Sequence, residues 1–90
     1  MFKYTATTLD KIENIFSENE YTIRYEKGNF KAGYCVLENK RVVVINKFFS
    51  VEAKINCLLE IIGQINIDEN KLSEKNKEFF SSITKLPHSS

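Results

Sequence analysis

Residues 41–63 read RVVVINKFFSVEAKINCLLEIIG and contain two contrasting hydrophobic patterns. Every residue from position 42 to position 45 is apolar and β-branched, which is typical of a buried β-strand. After Ser50, which is placed to cap a helix, apolar side chains recur at helical spacing as far as Ile62. The segment therefore predicts a strand followed directly by the central helix of a small domain.

The sequence before this segment predicts one helix and two further strands. Apolar residues recur at helical spacing over positions 7–16, where threonines can cap the helix. Positions 21–26 and 30–37 follow the period of two that half-buried strands show. Lys27-Gly28-Asn29 lies between these strands and is typical of a tight turn, so the sequence predicts a hairpin there.

The sequence after this segment predicts one more helix, over positions 72–83. The order helix, three strands, helix, helix predicts an α+β fold in which the strands form an antiparallel meander. We expect a single domain over residues 1–86, because 90 residues are too few for two cores. Pro87 ends any helix, so residues 87–90 are expected to form a frayed tail.

The predicted third strand is apolar on both faces, although the last strand of a meander lies at an edge of the sheet. Such an edge invites pairing unless something covers it. Either helices cover both faces or the strand pairs with a second copy of the chain, and we favour a homodimer. The candidate interface residues are Val42 and Val44 on the strand and the adjacent aromatics Phe48 and Phe49 at its junction with the helix.

The charge distribution suggests an alternative function. The net charge is only +1, which does not favour nucleic acid or a membrane surface as a partner. Residues 21–57, however, carry seven basic and three acidic side chains, between two acidic flanks. The alternative is therefore a domain that binds nucleic acid or a phosphate ligand. Its candidate anion-binding residues are Arg24, Lys27, Lys31, Lys47 and Lys54.

The residues that carry catalysis or bind metals are few. Cys35 and Cys57 are the only cysteines and form no CxxC pair, and the single histidine, His88, lies in the predicted tail. We therefore expect no enzyme, no metal site and no cofactor, but a protein-interaction module. A third alternative, an enzyme with an unrecognised site, leaves Cys35 as the only candidate nucleophile.

The hydrophobic runs are short. The longest covers four residues, against about 20 for a membrane-spanning helix, and the first twenty residues contain no apolar signal core. We therefore expect a cytoplasmic protein that does not enter a membrane.

The segment over residues 41–63 resembles the minimal core of the HExxH zinc metallopeptidases, in which a small sheet precedes the helix that carries the metal ligands. Leu59-Glu60-Ile61-Ile62-Gly63 occupies the place of the motif, and only Glu60 matches it. Leu59 and Gly63 stand where the two histidine ligands would be. The resemblance therefore implies a metal-free relative retained for binding rather than hydrolysis.

A second resemblance involves RYEKGNFKAGYC at residues 24–35 together with VINK at residues 44–47. These stretches are similar to a family of small bacterial proteins of about this length. The resemblance covers about half of the chain and implies a bacterial protein, and it carries no activity with it.

Overall fold

The computed structural model describes residues 3–37 and 39–84 and has an α+β architecture, as the sequence predicts. One helix precedes three strands, and two helices follow them. The elements are α1 Ala6–Glu18, β1 Thr22–Glu26, β2 Ala32–Leu37, β3 Lys40–Asn46, α2 Val51–Ile62 and α3 Glu74–Thr84, with a 3₁₀ turn over Glu69–Lys71. The predicted tail over residues 87–90 lies outside the described residues.

Hydroxyl groups cap the first two helices. The Ser50 Oγ accepts a hydrogen bond from the Ala53 N–H at 3.2 Å, which confirms the predicted start of α2. The Thr5 Oγ1 accepts from the Thr8 N–H at 3.3 Å, so α1 begins directly after Thr5. Each cap satisfies an N–H group that has no partner within its helix.

The predicted antiparallel meander is wrong, because the sheet is mixed and its strand order is β1-β3-β2. Strand β3 lies in the centre, parallel to β1 and antiparallel to β2. The hairpin between β2 and β3 forms, whereas β1 and β2 do not pair. Residues 27–29 therefore belong to a connection that crosses the end of β3, not to a tight hairpin turn.

The central position of β3 follows from its composition. Val43 and Ile45 are fully buried on one face, while Val42 and Val44 are half-buried on the other. A strand between two partners is shielded by their side chains on both faces, which suits an uninterrupted β-branched run. Both edges of β3 are occupied, so β3 has no free edge for the pairing with a second copy that the sequence suggested.

Asn46, the last residue of β3, holds the connection between β1 and β2 in place. Its Nδ2 donates to the carbonyl oxygen of Phe30 at 2.7 Å and to that of Gly28 at 3.1 Å. Its Oδ1 accepts from the Phe48 N–H at 3.0 Å. One side-chain amide therefore fixes both the crossing connection and the turn into α2.

The hydrophobic core lies between the helices and the face of the sheet that carries Val43 and Ile45. Phe16 of α1 is fully buried, and its ring meets that of Tyr21 edge to face, with centroids 5.7 Å apart. Besides Val43 and Ile45, the fully buried aliphatic residues are Ile12, Ile15, Ile55, Leu58 and Ile83. We call the opposite face of the sheet, which carries Val42 and Val44, the open face, because none of its residues belongs to the core.

Polar side chains at the end of α1 organise the link between α2 and α3. The buried Asn19 accepts from the Asp68 N–H at 2.7 Å and donates to the Asp68 carbonyl oxygen at 3.3 Å. The Glu18 carboxylate accepts from the Asn76 Nδ2 at 2.8 Å and from the Ser73 N–H at 3.0 Å. These bonds to Asn76 and Ser73 lower the pKa of Glu18, because they favour its charged form.

Candidate functional site

Strand β2, Ala32–Leu37, borders the sheet and pairs with β3 on one side only. Among residues 3–37 and 39–84 no strand lies on its other side. We call this free side the β2 edge. A strand edge of this kind presents a row of backbone groups that can pair with another chain.

The hydrogen-bonding pattern between β2 and β3 determines which backbone groups of β2 point to its free side. The Asn46 N–H donates to the Lys31 carbonyl oxygen at 3.1 Å, so this pair is of the hydrogen-bonded type. Such pairs alternate along an antiparallel ladder, which directs the N–H and C=O groups of every second residue away from β3. The outward groups are therefore those of Ala32, Tyr34 and Val36.

The side chains of β2 are exposed and uncharged. Five of its six residues are exposed, and Tyr34, Val36 and Leu37 expose 41%, 49% and 57% of their surface. Charged side chains, prolines and bulges are the usual means by which proteins protect such edges, and Ala32–Leu37 has no charged residue and no proline. The β2 edge is therefore an apolar strand edge without this protection.

The opposite border of the sheet, β1, differs in both charge and contacts. Arg24 and Glu26 form an ion pair at 3.2 Å on the open face. The Tyr25 hydroxyl donates to the Glu13 carboxylate, and the Lys54 ammonium lies 4.7 Å from the centroid of the Tyr25 ring. Burial, together with the bond to Glu13, raises the pKa of Tyr25. The side chains of β1 thus include charged groups and make contacts with α1 and α2.

A cavity of about 400 Å³ opens beside the β2 edge on the helix side of the sheet. Its lining includes Tyr34 and Val36 of β2, together with Tyr21, Arg41 and the segment that follows α2 (Gln64, Ile65, Asn66 and Asp68). The Arg41 guanidinium lies over the Tyr21 ring at 5.9 Å and donates to the Asn19 carbonyl oxygen at 3.3 Å. Two residues of the β2 edge therefore face open space on their inner side as well.

The predicted interface residues divide between three environments. Val42 and Val44 are half-buried on the open face. Each has one neighbour on β1 and one on β2. Phe48 exposes 73% of its surface, with the Lys47 ammonium 5.7 Å from its ring centroid. Phe49 packs against the core. Val42 and Val44 adjoin Cys35 and Gly33 of β2 on the open face, whereas Phe49 packs against the core, so the four residues do not form one surface.

The predicted anion-binding residues do not converge on one site. Arg24 pairs with Glu26 on the open face, whereas Lys31 pairs with Glu60 of α2 at 3.0 Å. The bond to Glu60 raises the pKa of Lys31. Lys47 and Lys54 lie over the Phe48 and Tyr25 rings respectively. Lys27 is exposed in the connection before β2.

The two cysteines lie in different environments. Cys35 is exposed on the open face, and Cys57 is buried in α2, where burial raises its pKa. His88 lies outside the described residues, and within the described part no three His, Cys, Asp or Glu side chains come together as metal ligands. Glu60, which matches the metallopeptidase motif, is exposed and paired with Lys31.

Comparison of the chain with family models, curated proteins and solved structures yields no match. No helix in the described part of the chain is both long and apolar enough to cross a membrane. The β2 edge was not predicted as an interface from the sequence, and Cys35 was selected there only as a candidate nucleophile. The only hint in the sequence is that residues 32–37 lack charge between Lys31 and Glu38.

Proposed function

We propose that this chain is a non-enzymatic protein-interaction module that forms a homodimer through the β2 edge. The observation that carries the proposal is a border strand whose exposed side chains are apolar and whose outward backbone groups have no strand partner within the described residues. Pairing two such edges satisfies the backbone groups and covers the apolar side chains at the same time.

The expected affinity is moderate. Val36 and Leu37 are about half exposed, so covering each side chain contributes on the order of 1 kcal/mol to the free energy of association. Each contribution occurs twice, because both copies supply these residues. The loss of rotational and translational freedom opposes association by several kcal/mol. Because these gains are of the same order as that cost, nanomolar affinity is not expected, and association should be sought at micromolar and higher concentrations.

Several titratable groups pair with one another across the fold, which supports the non-enzymatic part of the proposal. Lys31 and Glu60 pair with each other, and Tyr25 donates to Glu13. These four groups are thus engaged in contacts between elements of the fold. A binding role also agrees with the metal-free relative that the metallopeptidase resemblance implies.

Sedimentation equilibrium over roughly 1 to 200 μM tests the proposal. We expect the apparent mass to rise from the 10.5 kDa of the chain toward twice that value as the concentration increases. Because the β2 edge is uncharged, the midpoint is expected to stay within about threefold between low and high salt. A mass that remains at the monomer value throughout this range contradicts the proposal.

A further inference from the structure

The unpaired backbone groups of β2 also define the geometry of the dimer. We infer that the two β2 strands pair antiparallel about a two-fold axis beside Tyr34, so that Tyr34 of one copy lies opposite Tyr34 of the second copy. This inference rests on the proposed homodimer. It makes the two three-stranded sheets into one continuous sheet of six strands.

The free backbone groups are arranged symmetrically about Tyr34. The outward residues are Ala32, Tyr34 and Val36, and the Phe30 carbonyl oxygen, which comes before them, is already bonded to Asn46 at 2.7 Å. Pairing about Tyr34 places Ala32 of each copy opposite Val36 of the other. All three N–H groups and all three C=O groups of each strand then have partners.

The side chains complement one another in the same register. On the helix side, the two Tyr34 rings are cross-strand neighbours, a pairing that stabilises sheets, and Ala32 lies beside the larger Val36 of the second copy. On the open face, Cys35 lies opposite Gly33 of the second copy. A Cβ placed on Gly33 would have no neighbouring atom within 4 Å, so the Cys35 thiol of the second copy has room beside Gly33.

A register shifted by one residue, with the two-fold axis at Cys35, gives partners to fewer of the backbone N–H and C=O groups. It pairs Tyr34 with Val36 of the second copy and leaves the N–H and C=O groups of Ala32 opposite residue 38, beyond the end of β2. It also places the two Cys35 residues directly opposite each other, with Cα atoms about 4.5 Å apart. In the register about Tyr34 the two Cys35 residues are diagonal neighbours, roughly 7–8 Å apart.

Disulfide trapping distinguishes the two registers, because a disulfide requires Cα atoms less than about 7 Å apart. Gly33→Cys introduces a thiol directly opposite Cys35 of the second copy, in a close, non-hydrogen-bonded pair. Each disulfide forms as two thiols give up two protons and two electrons to diamide, which is reduced to a hydrazine. We expect Gly33→Cys to become a covalent dimer on a non-reducing gel at least tenfold faster than the wild type.

The matched control is Gly33→Cys combined with Cys35→Ser, which retains the introduced thiol but removes its partner. We expect it to cross-link as slowly as the wild type. Rapid cross-linking of the wild type through Cys35, without acceleration by Gly33→Cys, overturns the register while leaving the homodimer intact. If sedimentation shows only monomer, the proposed function itself fails, and the two failures are thereby distinguished.

Discussion

Substituting Tyr34 with lysine is expected to weaken self-association by about 100-fold or more, which corresponds to about 3 kcal/mol. The two-fold axis brings the two introduced ammonium groups next to each other, and like charges directly opposite on paired strands are destabilising. The aromatic pair is lost as well. Sedimentation equilibrium at a concentration where the wild type is dimeric should therefore show the variant as a monomer.

Thr22→Lys is the matched control, since Thr22 is exposed on the β1 border and the substitution introduces the same charge. We expect this variant to dimerise like the wild type. Far-ultraviolet circular dichroism should show that both variants retain the fold, because Tyr34 is 41% exposed and contributes only part of its surface to packing. Equal dimerisation of the two variants contradicts the assignment of the interface to the β2 edge.

Replacing Phe16 with alanine is expected to produce the largest loss of folding stability, about 3–5 kcal/mol. The ring is fully buried in the core and makes an edge-to-face contact with Tyr21. A domain of this size has a total stability of roughly 5–13 kcal/mol. The midpoint of thermal unfolding should therefore fall by at least about 12 °C.

Phe48→Ala makes the same chemical change at a side chain that exposes 73% of its surface. We expect it to change the free energy of unfolding by no more than about 0.5–1 kcal/mol, the value of an exposed contact with Lys47. Urea unfolding of both variants and the wild type at the same protein concentration keeps the contribution of dimerisation equal in the three measurements. Equal destabilisation by the two substitutions contradicts the assignment of the core.

The elements of the fold were predictable from local patterns, whereas the strand order was not. Ser50 and the helical spacing after it correctly predicted the start of α2, because a cap acts within three residues. Lys27-Gly28-Asn29 suggested a hairpin because these residue types favour a tight turn, which is also a local preference. The connection is held instead by hydrogen bonds from Asn46 to Gly28 and Phe30, which are 18 and 16 residues away in the sequence. No local sequence pattern indicates bonds over that distance.

The candidate site was missed for a related reason. The sequence showed correctly that residues 42–45 are apolar on both faces, but a meander places that strand at an edge. Once β3 occupies the centre, its apolar faces are explained by its neighbours, and the unprotected edge belongs to β2. Which strand borders a sheet depends on long-range pairing, so the exposure of Tyr34 and Val36 could be read only from the structure.

Amide hydrogen exchange, followed by NMR residue by residue, tests the pairing of the β2 edge most directly. The N–H groups of Gly33, Cys35 and Leu37 point toward β3 and should be protected at every protein concentration. Those of Ala32, Tyr34 and Val36 have no strand partner in the monomer. We predict that their exchange slows at least tenfold between dilute and concentrated wild-type protein but not in Tyr34→Lys. Exchange at these three residues that is equally fast at all concentrations would contradict a dimer formed through the β2 edge.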